Sequence, residues 1–200
     1  METNKKAKNP EKMNVRDFIT LAIMLVISFV VYAIVGTPFG MTGLGNLFIF
    51  AVCALVWGTI YMLYLSKVNK KGAVLAFGLL WAAMQLANFW GIALVIAICA
   101  VISEIIWRKL DRKKFTTMMI CFIILVLSFF LGLSVPLMIF KDMYLSSIPE
   151  YAAELYGQVY ELCVSPMYFA GIGATIAGAV AGSFIGKLIL RKHFQKAGII

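Results

Sequence analysis

Apolar runs long enough to cross a bilayer follow one another along this chain, and every second gap between them is crowded with lysine and arginine. The runs cover residues 18–35, 47–65, 73–87, 90–107, 118–140 and 166–190. A helix rises ~1.5 Å per residue, so most of these approach the ~30 Å hydrocarbon thickness of a membrane. Lys5, Lys6, Lys8, Lys12 and Arg16 precede the first run. Lys67, Lys70 and Lys71 fill a second basic gap, and Arg108, Lys109, Arg112, Lys113 and Lys114 fill a third. Lys187, Arg191, Lys192 and Lys196 close the chain, and only Lys141 of the 18 basic residues lies elsewhere. This is the positive-inside pattern. It predicts an all-α integral membrane protein of the cell membrane, a compact bundle of six transmembrane helices with both termini cytoplasmic. Basic tails at 1–17 and 191–200 flank the six-span domain at 18–190.

Composition enters here because it excludes the alternatives. The chain is 62% hydrophobic and only 14% charged, against about 25% charged in soluble domains. Its net charge of +9 is accounted for by the topology signal, so no nucleic-acid partner is expected. Cys53, Cys99 and Cys121 fall in apolar runs and Cys163 near the start of the last one. Without a CxxC pair or a cluster around the lone His193, they read as packing residues, with no metal site and no cofactor. The first run is longer than a signal-peptide core and lacks an A-x-A site, so it is expected to stay as a span.

Three gaps carry more detail. Residues 73–107 hold almost no charge and would overshoot the bilayer as one helix, so two spans are expected, with Gln85, Asn88 and Gly91 marking an outer turn. Glu104 stands four residues before Arg108, an ion-pair spacing at the inner interface. After the first span, Gly36, Gly40, Gly43 and Gly45 predict a flexible outer loop up to Asn46 that can fold back as a lid. Residues 141–165 form the one substantial outer segment. There Tyr144, Tyr151 and Leu155 fall at offsets that would share one face of an amphipathic surface helix.

The last run repeats small residues every four positions: Ala170, Ala174, Gly178, Gly182 and Gly186. Such a groove lets another helix approach the backbone closely. Two readings stand, a seam inside one bundle or a surface that docks a separate protein.

Signatures of catalysis are missing. There is no HExxH, no GxSxG, no phosphate-cradling glycine loop and no paired acid within a span, so the chain is not expected to be an enzyme. Mid-span acids or arginines of the kind that drive pumps are also missing. Polar and aromatic residues gather instead at the outer side: Asn46, Trp81, Gln85, Asn88, Trp90, Lys141, Asp142 and Tyr144. They suggest a shallow outward-facing pocket for a small nutrient, the aromatic rings suiting a flat molecule. Lys141 would hold an acid group of the ligand, pair with Asp142, or snorkel to lipid headgroups.

Three stretches carry a resemblance: GTIYMLYLSKVNKKGAV at the end of the second span, FKDMYLSS after the fifth, and the glycine stripe leading into LRKHFQKAG. With six short spans and no ATPase domain, the chain is similar over nearly its whole length to S components of energy-coupling-factor (ECF) transporters. Within these it resembles the Trep_Strep (MptD-type) group. The resemblance implies a substrate-capture subunit whose pocket is capped by the first outer loop. It also implies partners, namely a transmembrane coupling protein and two cytoplasmic ATPases, with the subunit toppling in the lipid bilayer when engaged. Spans with few charges suit that motion, because moving a charge through lipid costs several kcal/mol. The sequence departs from the family's Ala-x3-Ala face on the first span, where Ala22 is followed by Val26 and Val30. Docking then falls to the groove of the last span or to looser packing of the first. The alternative function is a non-transporting scaffold or regulator that acts through the glycine-rich last helix.

Overall fold

A computed structural model describes residues 12–191. The remainder of the two basic tails, with Lys5, Lys6, Lys8, Lys192, His193 and Lys196, lies outside the described residues. Helix α1 (Val15–Val31) opens with a capping box, in which the Asp17 amide donates to Asn14 Oδ1 at 3.1 Å and the Asn14 amide to Asp17 Oδ2 at 2.7 Å. It runs through a π-helical turn, Tyr32–Gly36, into the short α2 (Thr37–Gly40). Pro38 has no N–H to offer a carbonyl four residues back, and the wider turn is closed instead by the Thr37 amide donating to the Tyr32 carbonyl.

The remaining helices are α3 (Gly43–Lys67), α4 (Ala73–Gln85), α5 (Trp90–Lys109), α6 (Phe115–Ile139), α7 (Lys141–Ser147), α8 (Glu150–Cys163) and α9 (Met167–Ile189). Five stretches are long and apolar enough to cross a membrane, namely Val15–Gly40, α3, α5, α6 and α9. At 13 residues α4 is apolar but shorter than a usual span. The long apolar stretch at 73–107 is indeed broken, at residues 86–89.

Helix α3 is central. It packs along α9 more extensively than any other pair, and it also meets α1, α6 and α8. The reason is glycine on both sides. A Cβ on Gly178 would run into the Ala51 backbone, one on Gly182 into Ala54, one on Gly186 into Gly58, and one on Gly58 into Gly182. The groove of the last helix is therefore filled from within the chain at Gly178, Gly182 and Gly186, the close-approach packing of small-xxx-small seams. Ala170 is exposed and Ala174 half-buried, beyond the tightest part of that seam. The parallel stripe Gly173, Ala177 and Ala181 faces outward.

Two expectations change. The glycine-rich stretch after the first span is helical over most of its length. Gly43 packs against Gln158 of α8, and Gly45 against the Phe39 carbonyl and the Thr42 hydroxyl, so at these positions glycine serves contact, not flexibility. The expected common face of Tyr144, Tyr151 and Leu155 is broken because Ile148-Pro149 ends α7 and starts a new helix. Tyr144 is 2% exposed and Tyr151 87%.

Candidate functional site

The two ends of the bundle are built from different chemistry. At one end lie the ends of α3 and α5 that carry Lys67, Arg108 and Lys109, and the loops beside them. Here Glu104 of α5, which sequence spacing paired with Arg108 alone, is 4% exposed and works harder. Its Oε1 accepts from the Gly72 amide at 2.7 Å and from Arg108 Nε at 2.6 Å, and its Oε2 accepts from the Leu75 amide at 3.2 Å. Helix α4 starts with Gly72 in the left-handed conformation and has no cap of its own. A carboxylate from the neighbouring helix takes up its first N–H groups and complements the positive end of its dipole. Around this, Lys70 Nζ meets Asp17 Oδ2 at 2.6 Å, and Trp107 Nε1 donates to the Lys70 carbonyl at 3.0 Å. The Tyr64 hydroxyl donates to the Ala73 carbonyl at 2.9 Å, and Asn69 Nδ2 to the Arg112 carbonyl at 3.1 Å.

The opposite end holds a cavity of about 570 Å³. That lies within the ~300–1,000 Å³ typical of small-molecule sites. Its floor is an aromatic cluster: Trp57 of α3, Trp81 of α4 and Phe129 of α6, with ring centroids 5.8, 5.3 and 5.0 Å apart. Trp57 is fixed by its Nε1, which donates to the Ser28 carbonyl of α1 at 2.8 Å, and Tyr32 of the π turn stacks on it at 6.2 Å. Below the floor, Tyr61, Phe77 and Phe122 continue the ring packing towards the basic end. The upper wall comes from Tyr144 of α7 and Tyr156 of α8, 5.5 Å apart, and from Ile148 between them. Both phenols sit outside the long apolar helices, and burial raises each above its ordinary titration range, so both stay neutral and protonated at physiological pH.

Polar groups enter from one side. Asn46, in the first turn of α3, is 7% exposed and its Nδ2 donates to the Gly40 carbonyl at 2.8 Å. That bond fixes the amide's orientation, with Oδ1 as its acceptor atom. At the break between α4 and α5, Asn88 Nδ2 donates to Gln85 Oε1.

Of the eight residues singled out from the sequence, Asn46, Trp81, Gln85, Asn88 and Tyr144 are brought together on this cavity. Trp90, Lys141 and Asp142 do not line it. Trp90 packs between Phe89 and Phe140. Lys141 Nζ lies 3.8 Å from the centre of the Tyr160 ring and 3.9 Å from Glu161 Oε1, so its partners are on α8 and not Asp142. Of the glycines assigned to a lid, Gly36 lies in the π turn and Gly40 supplies the carbonyl that holds Asn46. Gly43 and Gly45 belong to the first turn of α3.

Sequence reasoning passed over Trp57, Phe129, Tyr32 and Tyr156. For Trp57 a signal existed, since tryptophan favours the membrane interface and this one sits in the middle of an apolar run. Among the described residues no three His, Cys, Asp or Glu side chains converge as metal ligands.

Fold and cavity together define a helical multi-pass membrane protein with a ligand-sized, aromatic-floored chamber at one end. The chain belongs to the Trep_Strep family, described as hypothetical bacterial integral membrane proteins, whose model matches residues 15–196. No curated protein and no solved structure matches it.

Proposed function

We propose that this protein is the substrate-binding subunit of an ECF-type importer, which captures a small nutrient outside the cell. It hands the nutrient on with a transmembrane coupling protein and two cytoplasmic ATPases, and it hydrolyses no ATP itself. In this reading the protein crosses the plasma membrane six times with both termini inside, α4 being a short span. The cavity end faces out and the basic end faces the cytoplasm.

The observation that carries this reading is the position of the chamber. It lies at the end remote from the basic loops, it is closed below by packed rings, and its depth suits capture more than conduction. Asn46 and Trp57 are eleven residues apart on α3, which makes the chamber ~16 Å deep. A continuous pore would need a path past Tyr61, Phe77 and Phe122, all three buried, with Tyr61 packed against both phenylalanines. The scaffold alternative would act through the outward stripe Gly173, Ala177 and Ala181, because Gly178, Gly182 and Gly186 are already covered by α3.

The test is purification of the tagged protein from its native membranes in mild detergent, followed by mass spectrometry of proteins and small molecules. The importer reading expects one integral coupling protein, two ATPases and a retained metabolite. Recovery of the chain alone or with an unrelated membrane partner, across several detergents, would contradict it.

A further inference from the structure

The chamber's lining specifies the electrical character of what it takes, and this deepens the importer reading and rests on it. We infer that the ligand is an uncharged, flat heteroaromatic molecule that presents a hydrogen-bond donor to Asn46 Oδ1, and that neither an acid nor an organic cation is the natural cargo.

Charge is the first consideration. Among the described residues no Asp, Glu, Lys, Arg or His lines the cavity. Lys141 is held between the Tyr160 ring and Glu161 on α8 and is not among the lining residues. A carboxylate or phosphate entering the chamber would give up its water and meet no counter-charge, which strongly disfavours binding. A cation would find aromatic rings, which attract cations through their faces. However, among the described residues no carboxylate lines the chamber to complete a cation site.

Hydrogen bonding supplies the second constraint. Asn46 lines the chamber and its Nδ2 donates to the Gly40 carbonyl, so Oδ1 is the acceptor this amide can offer to a ligand's donor. Trp81 also lines the chamber, and its indole N–H is a donor. A ligand that hydrogen-bonds to such polar cavity groups gains specificity against analogues that lack the matching group. A ring carrying both N–H and carbonyl or aza groups at its edge supplies the matching partners, and its faces match the aromatic walls.

The test uses three probes of one shape: quinoline-3-carboxamide, quinoline-3-carboxylate and the 1-methyl-quinolinium carboxamide. They are titrated against the full-length protein in mild detergent while tryptophan emission is followed. The carboxamide is expected to quench emission saturably and to bind at least about tenfold more tightly than either charged analogue. Asn46→Ala should weaken its binding by roughly tenfold, the loss of one buried hydrogen bond. Gln85→Ala, at a half-buried position, provides a second reading if the Asn46 variant fails to fold. Equal or tighter binding of the anion or the cation overturns the inference, as does no saturable binding of the carboxamide up to its solubility limit. The two readings fail separately. A charged metabolite retained in a complex with ATPases would sink the ligand class and keep the importer, whereas carboxamide selectivity in a chain that recruits no ATPase would do the reverse.

Discussion

The basic end and the cavity end of the bundle treat polar groups in opposite ways. At the basic end both oxygens of Glu104 are used, Asp17 is paired with Lys70, and Trp107, Tyr64 and Asn69 each donate to a backbone carbonyl of another segment. At the cavity end Asn46, Gln85 and Asn88 border about 570 Å³ left unfilled among rings. Satisfied polar networks rigidify a fold, and polar groups that line a cavity can orient a ligand. The contrast therefore separates a structural clamp from a receptive site within one helical bundle.

Breaking the clamp should have the largest effect. Glu104→Ala orphans the Gly72 and Leu75 amides and leaves Arg108 without its carboxylate, and it is expected to lower stability by roughly 3 kcal/mol. Thermal unfolding in detergent measures this, and Glu104→Gln should lose clearly less because one oxygen still accepts. An unfolding midpoint for the alanine variant within error of the parent would mean that the clamp contributes nothing.

The seam between α3 and α9 offers an internal control. Gly182→Ala places a methyl against the Ala54 carbonyl, and the resulting overpacking should cost about 1–3 kcal/mol. Gly173→Ala meets nothing within 4 Å and should be neutral or gain up to about 1 kcal/mol in helix propensity. Equal effects at the two positions would count against a groove filled by α3.

Smallest of all should be Lys141→Ala. With its ammonium partly exposed and 3.9 Å from an exposed Glu161 carboxylate, the pair is worth at most about 1 kcal/mol. Retained-ligand affinity should be unchanged, and a loss of tenfold or more would return Lys141 to the site.

Much of this architecture was legible in the chain. Helix positions follow from apolar length, and the break near Asn88 follows from the impossibility of one 35-residue span across residues 73–107. The polar cluster on the cavity was partly legible too, since Asn46, Gln85 and Asn88 are conspicuous among apolar neighbours. What escaped is long-range. Glycine looks alike in one dimension whether it frees a loop or admits Gln158 and Phe39, and only packing tells them apart. A buried Phe129 reads as core until the rings opposite it fail to close the gap. For Lys141 the sequence leaves a ligand's acid group, Asp142 and lipid headgroups open, while its partners in the fold, Tyr160 and Glu161, come from a different helix.

Orientation is the claim on which the capture role depends most directly. Cysteines introduced at Asn88, at the exposed break beside the cavity, and at Lys113, in the exposed basic loop, can be probed with a membrane-impermeant maleimide in intact cells, in a Cys99→Ala background that keeps only the buried Cys53, Cys121 and Cys163. The account predicts that Asn88→Cys is labelled from outside and that Lys113→Cys reacts only after lysis. Labelling of Lys113→Cys in intact cells, with Asn88→Cys protected until lysis, would put the chamber on the cytoplasmic side and contradict capture from outside.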